Sequence, residues 1–217
     1  MARDAAATRT AIMDAAQELI LQAGFSATSV DTVIAKAGLT KGAFFYHFKS
    51  KAELAHALVL RDAERDAAHL EELLARAETL SRDPLQQVLI CIGLYEEEMA
   101  KLTAPFPGCL YASYCYEAQL FDDTTMDIVR RAFSDWAGRV AGKLRQVIAL
   151  YPPRLPVTAD GLAEMGLAVI EGAYILSKVN RDPKAVAAQF RHYRNYLELL
   201  FAPDLQQRKL DGQTAAA

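Results

Sequence analysis

This chain has little that would tie it to a membrane, a disulfide framework, a metal or a chemical reaction. Its longest uninterrupted apolar run, Val88 to Tyr95, is far too short to span a bilayer. Near the N-terminus, Arg3, Asp4, Arg9 and Asp14 stand where a secretory leader needs an apolar core, so the expected setting is the cytoplasm. Three cysteines, Cys91, Cys109 and Cys115, are odd in number and make no close Cys-x-x-Cys pair, which argues against a disulfide scaffold and a zinc site alike. The four histidines, His47, His56, His69 and His192, show no metal-ligand spacing. There is no G-x-S-x-G, no P-loop and no H-E-x-x-H, while Glu96-Glu97-Glu98 reads as a solvated helix face, so neither catalysis nor a cofactor is expected. Strand-type alternation, internal repeats and low-complexity stretches are missing as well. Helix is what remains.

At 217 residues and 52% hydrophobic content, the chain can build one large core or two small ones. The net charge of −3 is polarised, with +2 over residues 1–51 and −5 over the remainder. An acidic body attached to a basic end reduces indiscriminate attraction to polyanions and leaves the basic end to make the contact.

Phe25 to Lys51 carries the strongest local signals. Ser29 is a good N-cap, Asp31 sits in the first turn, and Val30, Val33, Ile34 and Ala37 fall on one helical face. That predicts a short helix over residues 30–37. Gly38 stands where a helix C-terminus wants a residue tolerant of positive φ, and Leu39 can plug the corner that follows. Thr40 can cap a second helix whose open start carries Thr40, Lys41, Gly42 and Ala43, small or basic residues suited to a DNA groove. Phe44 and Phe48, four apart, can anchor this helix. Phe45, Tyr46, His47, Lys49 and Lys51 crowd its far end with aromatic and basic groups that suit a phosphate backbone.

This stretch resembles the DNA-binding motif of the TetR family of bacterial transcriptional regulators. The likeness rests on the capped helix, the Ala-Gly-Leu-Thr-Lys-Gly turn, the Phe-Phe-Tyr-His-Phe-Lys-Ser-Lys ending, and their place after one amphipathic helix. The resemblance implies a homodimer on a palindromic operator in double-stranded DNA, with Thr40, Lys41 and Gly42 facing the groove. Thr28, Ser29, Phe45, Tyr46, His47 and Lys51 would then face the backbone. Where Phe45 stands the family usually has tyrosine, whose hydroxyl helps hold a phosphate, so that part of the anchoring shifts to Tyr46. Most members act as repressors released by a small-molecule effector.

Elsewhere the chain reads as further helices. Met1 to about Ala7 reads as a short arm from which Arg3 could reach a minor groove. Thr8 then caps a helix with Ile12, Ala15, Ala16, Leu19 and Ile20 on one stripe, ending at Gly24. Ser50-Lys51-Ala52-Glu53 is a capping box that opens a long helix to the region of Leu80. Pro84 starts another, to about Leu102, and Thr103-Ala-Pro-Phe-Pro-Gly108 is a firm break. One helix is expected over 109–121 and one from Asp122 or Asp123 to Leu150; two more cover about 159–179 and 183–201. The fold class is all-α: a three-helix DNA-binding head with a helix-turn-helix over residues 1–51, and a six-helix ligand-binding and dimerisation body over 52–202. A flexible tail over 203–217 completes the expected division.

Two further sets of residues are candidates for binding. Tyr95, Phe106, Tyr111, Tyr114, Glu117 and Trp136 place rings and one acid among apolar neighbours, which suits a small apolar or aromatic effector. Aromatic residues at helical spacing also serve as ordinary core. Met165, Val169, Gly172 and Leu176 on one helix, with Phe190, Tyr193 and Leu197 on the next, form broad faces that could pair across a twofold axis or complete a monomer core. Cys109 and Cys115 are candidate redox or electrophile sensors, or small buried hydrophobes. A helical interaction module without DNA binding is the alternative from another functional class.

Overall fold

A computed structural model describes residues 2–202, with side chains from residue 5 onward. The described residues form nine α-helices and one 3-10 turn, with no strand among them. They divide into two compact units, drawn differently from the functional division expected at residue 51. The first takes the chain through His69 and adds Phe106–Ser134; the second takes Leu70–Pro105 and the chain from Asp135 on.

The first unit contains α1 (Ala2–Ala23), α2 (Val30–Ala37), α3 (Lys41–His47), the start of α4 (Lys51–Leu80), α6 (Leu110–Tyr116), the 3-10 turn Ala118–Leu120 and the start of α7 (Asp123–Leu150). α1 begins at Ala2 rather than at the expected Thr8 cap. Alanine is the best helix former, and Ala2, Ala5, Ala6 and Ala7 extend the helix toward the N-terminus. The side chain of Arg3, like the tail over 203–217, lies outside the described residues. Ile12, Ala16, Ile20, Val33, Phe44, Phe48, Leu54, Leu58, Leu110, Tyr114 and Val129 make one buried cluster. Apart from Phe48, which directly follows α3, each comes from the apolar stripe of its own helix, so the amphipathic pattern decides which face turns inward.

Ser50 Oγ accepts from the Glu53 N–H at 3.1 Å, and the Glu53 carboxylate reaches back to the Lys49 N–H at 2.6 Å. The capping box thus closes one residue further out than its simplest form. The helix expected over 109–121 is interrupted at Glu117, whose φ of −118° and ψ of 30° leave the helical region. Its side chain is occupied elsewhere, as described below.

The second unit contains the rest of α4 and α7, with α5 (Pro84–Met99), α8 (Ala159–Asn180) and α9 (Ala185–Phe201). Asp83 caps α5, accepting from the Gln86 N–H at 2.8 Å, and Pro84 occupies the first turn where no N–H is needed. Thr158 caps α8 through the Gly161 N–H at 3.0 Å. α9 lays Phe190, Tyr193, Leu197, Leu200 and Phe201 inward. Tyr193 Oη donates to the Leu162 carbonyl at 2.7 Å, and its ring lies against Gly166, where an added Cβ would meet it at 3.4 Å. Buried Glu96 of α5 takes the Arg191 Nε at 2.7 Å and the Arg194 Nη1 at 3.0 Å, so one carboxylate fastens α5 to two successive turns of α9.

Candidate nucleic-acid interface

α2 and α3 owe their position to local chemistry. Ser29 takes an extended conformation and its Oγ accepts from the Thr32 N–H at 3.0 Å, while Thr32 Oγ1 accepts from the Ser29 N–H at 3.0 Å. Threonine here does the work of the glutamate usual in a capping box. Gly38 lies in the left-handed region at φ 67° and ψ 32°; its N–H and that of Leu39 close onto the Ala35 and Ile34 carbonyls. This ends α2 and turns the chain sharply. Thr40 then caps α3 through the Ala43 N–H at 3.2 Å.

Phe44 and Phe48 are fully buried, with ring centroids 6.0 Å apart. Anchoring α3 on that side turns Lys41, Gly42, Phe45 and Tyr46 to solvent, with Tyr46 77% exposed and Phe45 42%. Lys41, Phe45 and Tyr46 together give α3 an outward face that is basic and aromatic. Tyr46 packs edge-on to His47 at 4.9 Å, and Phe45 edge-on to Phe44 at 5.3 Å. Lys41 Nζ is 3.7 Å from Asp31 Oδ1, a pair of exposed groups that a phosphate can readily displace.

Two of the sequence-derived backbone contacts are placed inside the fold. Thr28 is buried, and its hydroxyl donates to the Gly24 carbonyl at 2.8 Å. Lys51 is half-buried: its Nζ donates to the Phe25 carbonyl and lies 4.0 Å from the centroid of the Phe25 ring. Burial lowers its ammonium below the ordinary lysine range.

Among the residues read as effector contacts, Tyr111, Tyr114 and Glu117 come together in the first unit. Tyr111 Oη donates to Asp66 at 2.9 Å and its ring meets Phe133 edge-on at 5.7 Å. Burial, reinforced by Asp66, pushes its hydroxyl far above the usual phenol range. Tyr114 is wholly buried and stacks on Phe121 at 4.1 Å. The Glu117 oxygens accept from the main-chain N–H groups of Phe25 and Ser26, at 2.7 and 2.8 Å. Hydrogen bonding from Ser26, side chain first and then main chain, holds its carboxyl below the ordinary glutamate range, helped by Phe25 and the charge of Lys51. Phe106 is half-buried at the start of the same segment.

In the second unit, Tyr95 stacks on Phe190 at 4.9 Å, and Tyr95 and Trp136 pack on the cluster of Leu70, Leu73, Ala77 and Cys91. A groove of about 610 Å³ in this unit is lined by Leu85, Leu89, Ile90 and Phe201 with Asp83, Arg194 and Glu198, and by none of the six residues read from sequence.

The two faces read as dimer surfaces part company. On α8, Met165 and Leu176 are exposed and Val169 and Gly172 half-exposed, whereas Phe190, Tyr193 and Leu197 of α9 lie in the unit's own core. Their spacing put them on one stripe, and α5 and α8 cover that stripe within the chain. Ile175, Val179 and Leu199, missed by the sequence reading, are exposed instead. Cys91, Cys109 and Cys115 form no disulfide, and burial pushes the Cys91 thiol up to about 11, which makes it a poor nucleophile. No metal-holding group of side chains is found among the described residues, and no helix among them is long and apolar enough to cross a membrane.

Comparison with known proteins agrees with this geometry at both ends of the chain. Residues 12–58 match the family described as bacterial regulatory proteins, tetR family, and residues 84–192 match the C-terminal domain of transcriptional regulators like LmrA and YxaF. The chain is 25% identical to an HTH-type transcriptional regulator in the lacX 3' region of Lactococcus lactis subsp. lactis, over 84% of this chain and 89% of that one. It is 26% identical to the transcriptional regulator AcuR of Cereibacter sphaeroides, over 84% and 81%. The crystal structure of a TetR-family transcriptional regulator from Agrobacterium tumefaciens superimposes with a TM-score of 0.74 at 26% identity, covering 91% of this chain and all of that one. With residues 12–58 and 84–192 both matched, and with the capped α2 and α3 and their outward basic and aromatic face, the chain belongs to the TetR family of DNA-binding transcriptional regulators.

Proposed function

We propose that this regulator is a repressor that grips a palindromic operator as a homodimer in the cytoplasm and is released by a small apolar or aromatic effector. The observation that carries the reading is the outward face of α3, where Lys41, Gly42, Phe45 and Tyr46 stand open while Phe44 and Phe48 anchor the helix from behind. Thr40, Lys41 and Gly42 enter the major groove; Ser29, Phe45, Tyr46 and His47 lie along the backbone. A seven-residue helix reads few base pairs, so useful affinity needs a second copy about one DNA turn away, ~34–36 Å. The apolar strip of Met165, Val169, Gly172, Leu176 and Val179 on α8 supplies the surface for that second copy.

Tyr111 with Phe106 in the first unit, and Tyr95 with Trp136 in the second, are the effector contacts favoured by their partial burial. An effector changes DNA affinity only by as much as it discriminates between the two states of the protein. Selection of the purified protein on random duplex DNA at physiological salt tests the reading. Enrichment of a palindrome is the expected result. A folded dimer that enriches none would give precedence to a helical interaction module.

A further inference from the structure

We propose that Glu117 is a latch that holds the DNA-reading helices in their binding pose. The inference rests on the regulator reading above and names a positioning residue of its DNA site.

Glu117 sits between α6 and the 3-10 turn, and both of its oxygens are taken up by consecutive main-chain N–H groups of the turn joining α1 to α2. That turn lies three residues ahead of Ser29, the N-cap of α2. A carboxylate receiving two main-chain donors is a strong, directional clamp. Lys51, the first residue of α4, closes the same peptide from the other side by donating to the Phe25 carbonyl. The Phe25 ring is held between Tyr114 of α6 at 6.0 Å and Phe121, which follows the 3-10 turn, at 4.5 Å. One residue ahead of α2 is thus gripped at its N–H, its carbonyl and its ring.

Gly24 completes the fit. Its φ of +89° favours glycine, and an added Cβ would lie 2.9 Å from Glu117 Oε1. The carboxylate approaches the backbone only because no side chain is there. The aromatic grip alone would hold Phe25 in the core, but it leaves the turn's N–H groups without acceptors; Glu117 fixes which way the turn leaves α1, and hence where α2 and α3 point. Glu117 is a positioning residue, since its carboxylate points at the turn and would repel phosphate.

The sign of the effect separates this role from a bland one. Removing a carboxylate from a DNA-binding unit by itself strengthens binding to a polyanion. The latch predicts the opposite. On the duplex that the wild-type protein enriches, Glu117→Ala is expected to weaken binding by about tenfold or more, with the slope of affinity against salt unchanged. Lys51→Met is expected to weaken it with the same unchanged slope. The double variant should be about as weak as the weaker single one, because both act on one peptide. In the DNA-free protein, hydrogen exchange at the Phe25 and Ser26 amides should accelerate about tenfold or more in Glu117→Ala and in Glu117→Gln. That readout needs no DNA.

A normal operator bound by Glu117→Ala as tightly as by wild type, or more tightly, overturns the latch and leaves the regulator reading intact. Unchanged exchange at Phe25 and Ser26 overturns it as well. A salt slope lowered by about 1 in Lys51→Met returns Lys51 to the phosphate contacts and removes it from the latch. Wild-type protein that enriches no duplex overturns the regulator reading, and the latch with it.

Discussion

The Tyr114 hydroxyl donates to the carbonyl of Ala55 at 2.9 Å, fastening α6 to α4 from inside a sealed core. Tyr114→Phe removes that bond while keeping the stacked ring and is expected to cost about 1 kcal/mol in urea denaturation. Tyr114→Ala also opens a cavity and is expected to cost ~3–5 kcal/mol. A lost effector response in Tyr114→Ala would therefore report damage to the fold. Tyr111→Phe, which surrenders only the bond to Asp66, is the cleaner probe of ligand contact.

Lys41 is exposed at the start of α3 and pairs with Asp31 at 3.7 Å, a contact it can give up to enter the groove. Lys41→Ala should weaken binding to the enriched operator more than to an unrelated duplex, read by fluorescence anisotropy on both. A weakening equal on all duplexes, with the salt slope lowered by about 1, would instead give Lys41 a phosphate to hold.

Two glycines separate backbone strain from crowding. Gly38 has φ +67° with nothing within 4 Å of an added Cβ, so Gly38→Ala should cost about 1–2 kcal/mol of stability from conformation alone. Gly24→Ala adds the clash with Glu117 and is expected to lower the melting temperature further.

Leu176 and Val179 stand on the exposed apolar face of α8, with Val179 73% exposed. The paired substitutions Leu176→Glu and Val179→Glu should convert the protein to a folded monomer in sedimentation velocity. Leu197→Ala, inside the second unit, should instead lower stability by ~2–5 kcal/mol without a direct effect on association.

Acid should act on two carboxylates of the first unit with opposite sign. Ser26 and the other donors keep Glu117 below its ordinary value of 4.5, so its contribution to stability is complete above that value and is lost as pH falls through the lower folded value. Asp62 is buried, and desolvation raises its carboxyl above the ordinary 3.8 despite the Gln17 amide at 2.7 Å. Its destabilising contribution is present at neutral pH and fades as pH falls from the raised folded value toward 3.8. Melting temperatures taken from neutral pH down to about pH 3 should show the acid loss shrink in Glu117→Gln. The same series for Asp62→Asn should show equal or higher stability at neutral pH and a flatter profile above its ordinary range.

The chain's own residues settled its helices and the exposed face of α3. Caps at Ser29, Thr40, Asp83 and Thr158, the left-handed Gly38 and the start at Pro84 all act over a few residues, so their signals lie side by side in the sequence. The pair Phe44 and Phe48 decides by spacing alone which side of α3 turns outward. Tertiary structure decided everything that joins distant segments. Glu117 is 91 residues from Ser26, Asp62 is 45 from Gln17 and Glu96 is 95 from Arg191, and no periodicity encodes such meetings. It also decided that Lys51 and Thr28 turn inward, that one helix breaks at Glu117, and that Phe190, Tyr193 and Leu197 fill a core while Val179 stays open. Apolar spacing states that a face must be covered, and only the packed chain shows which element covers it.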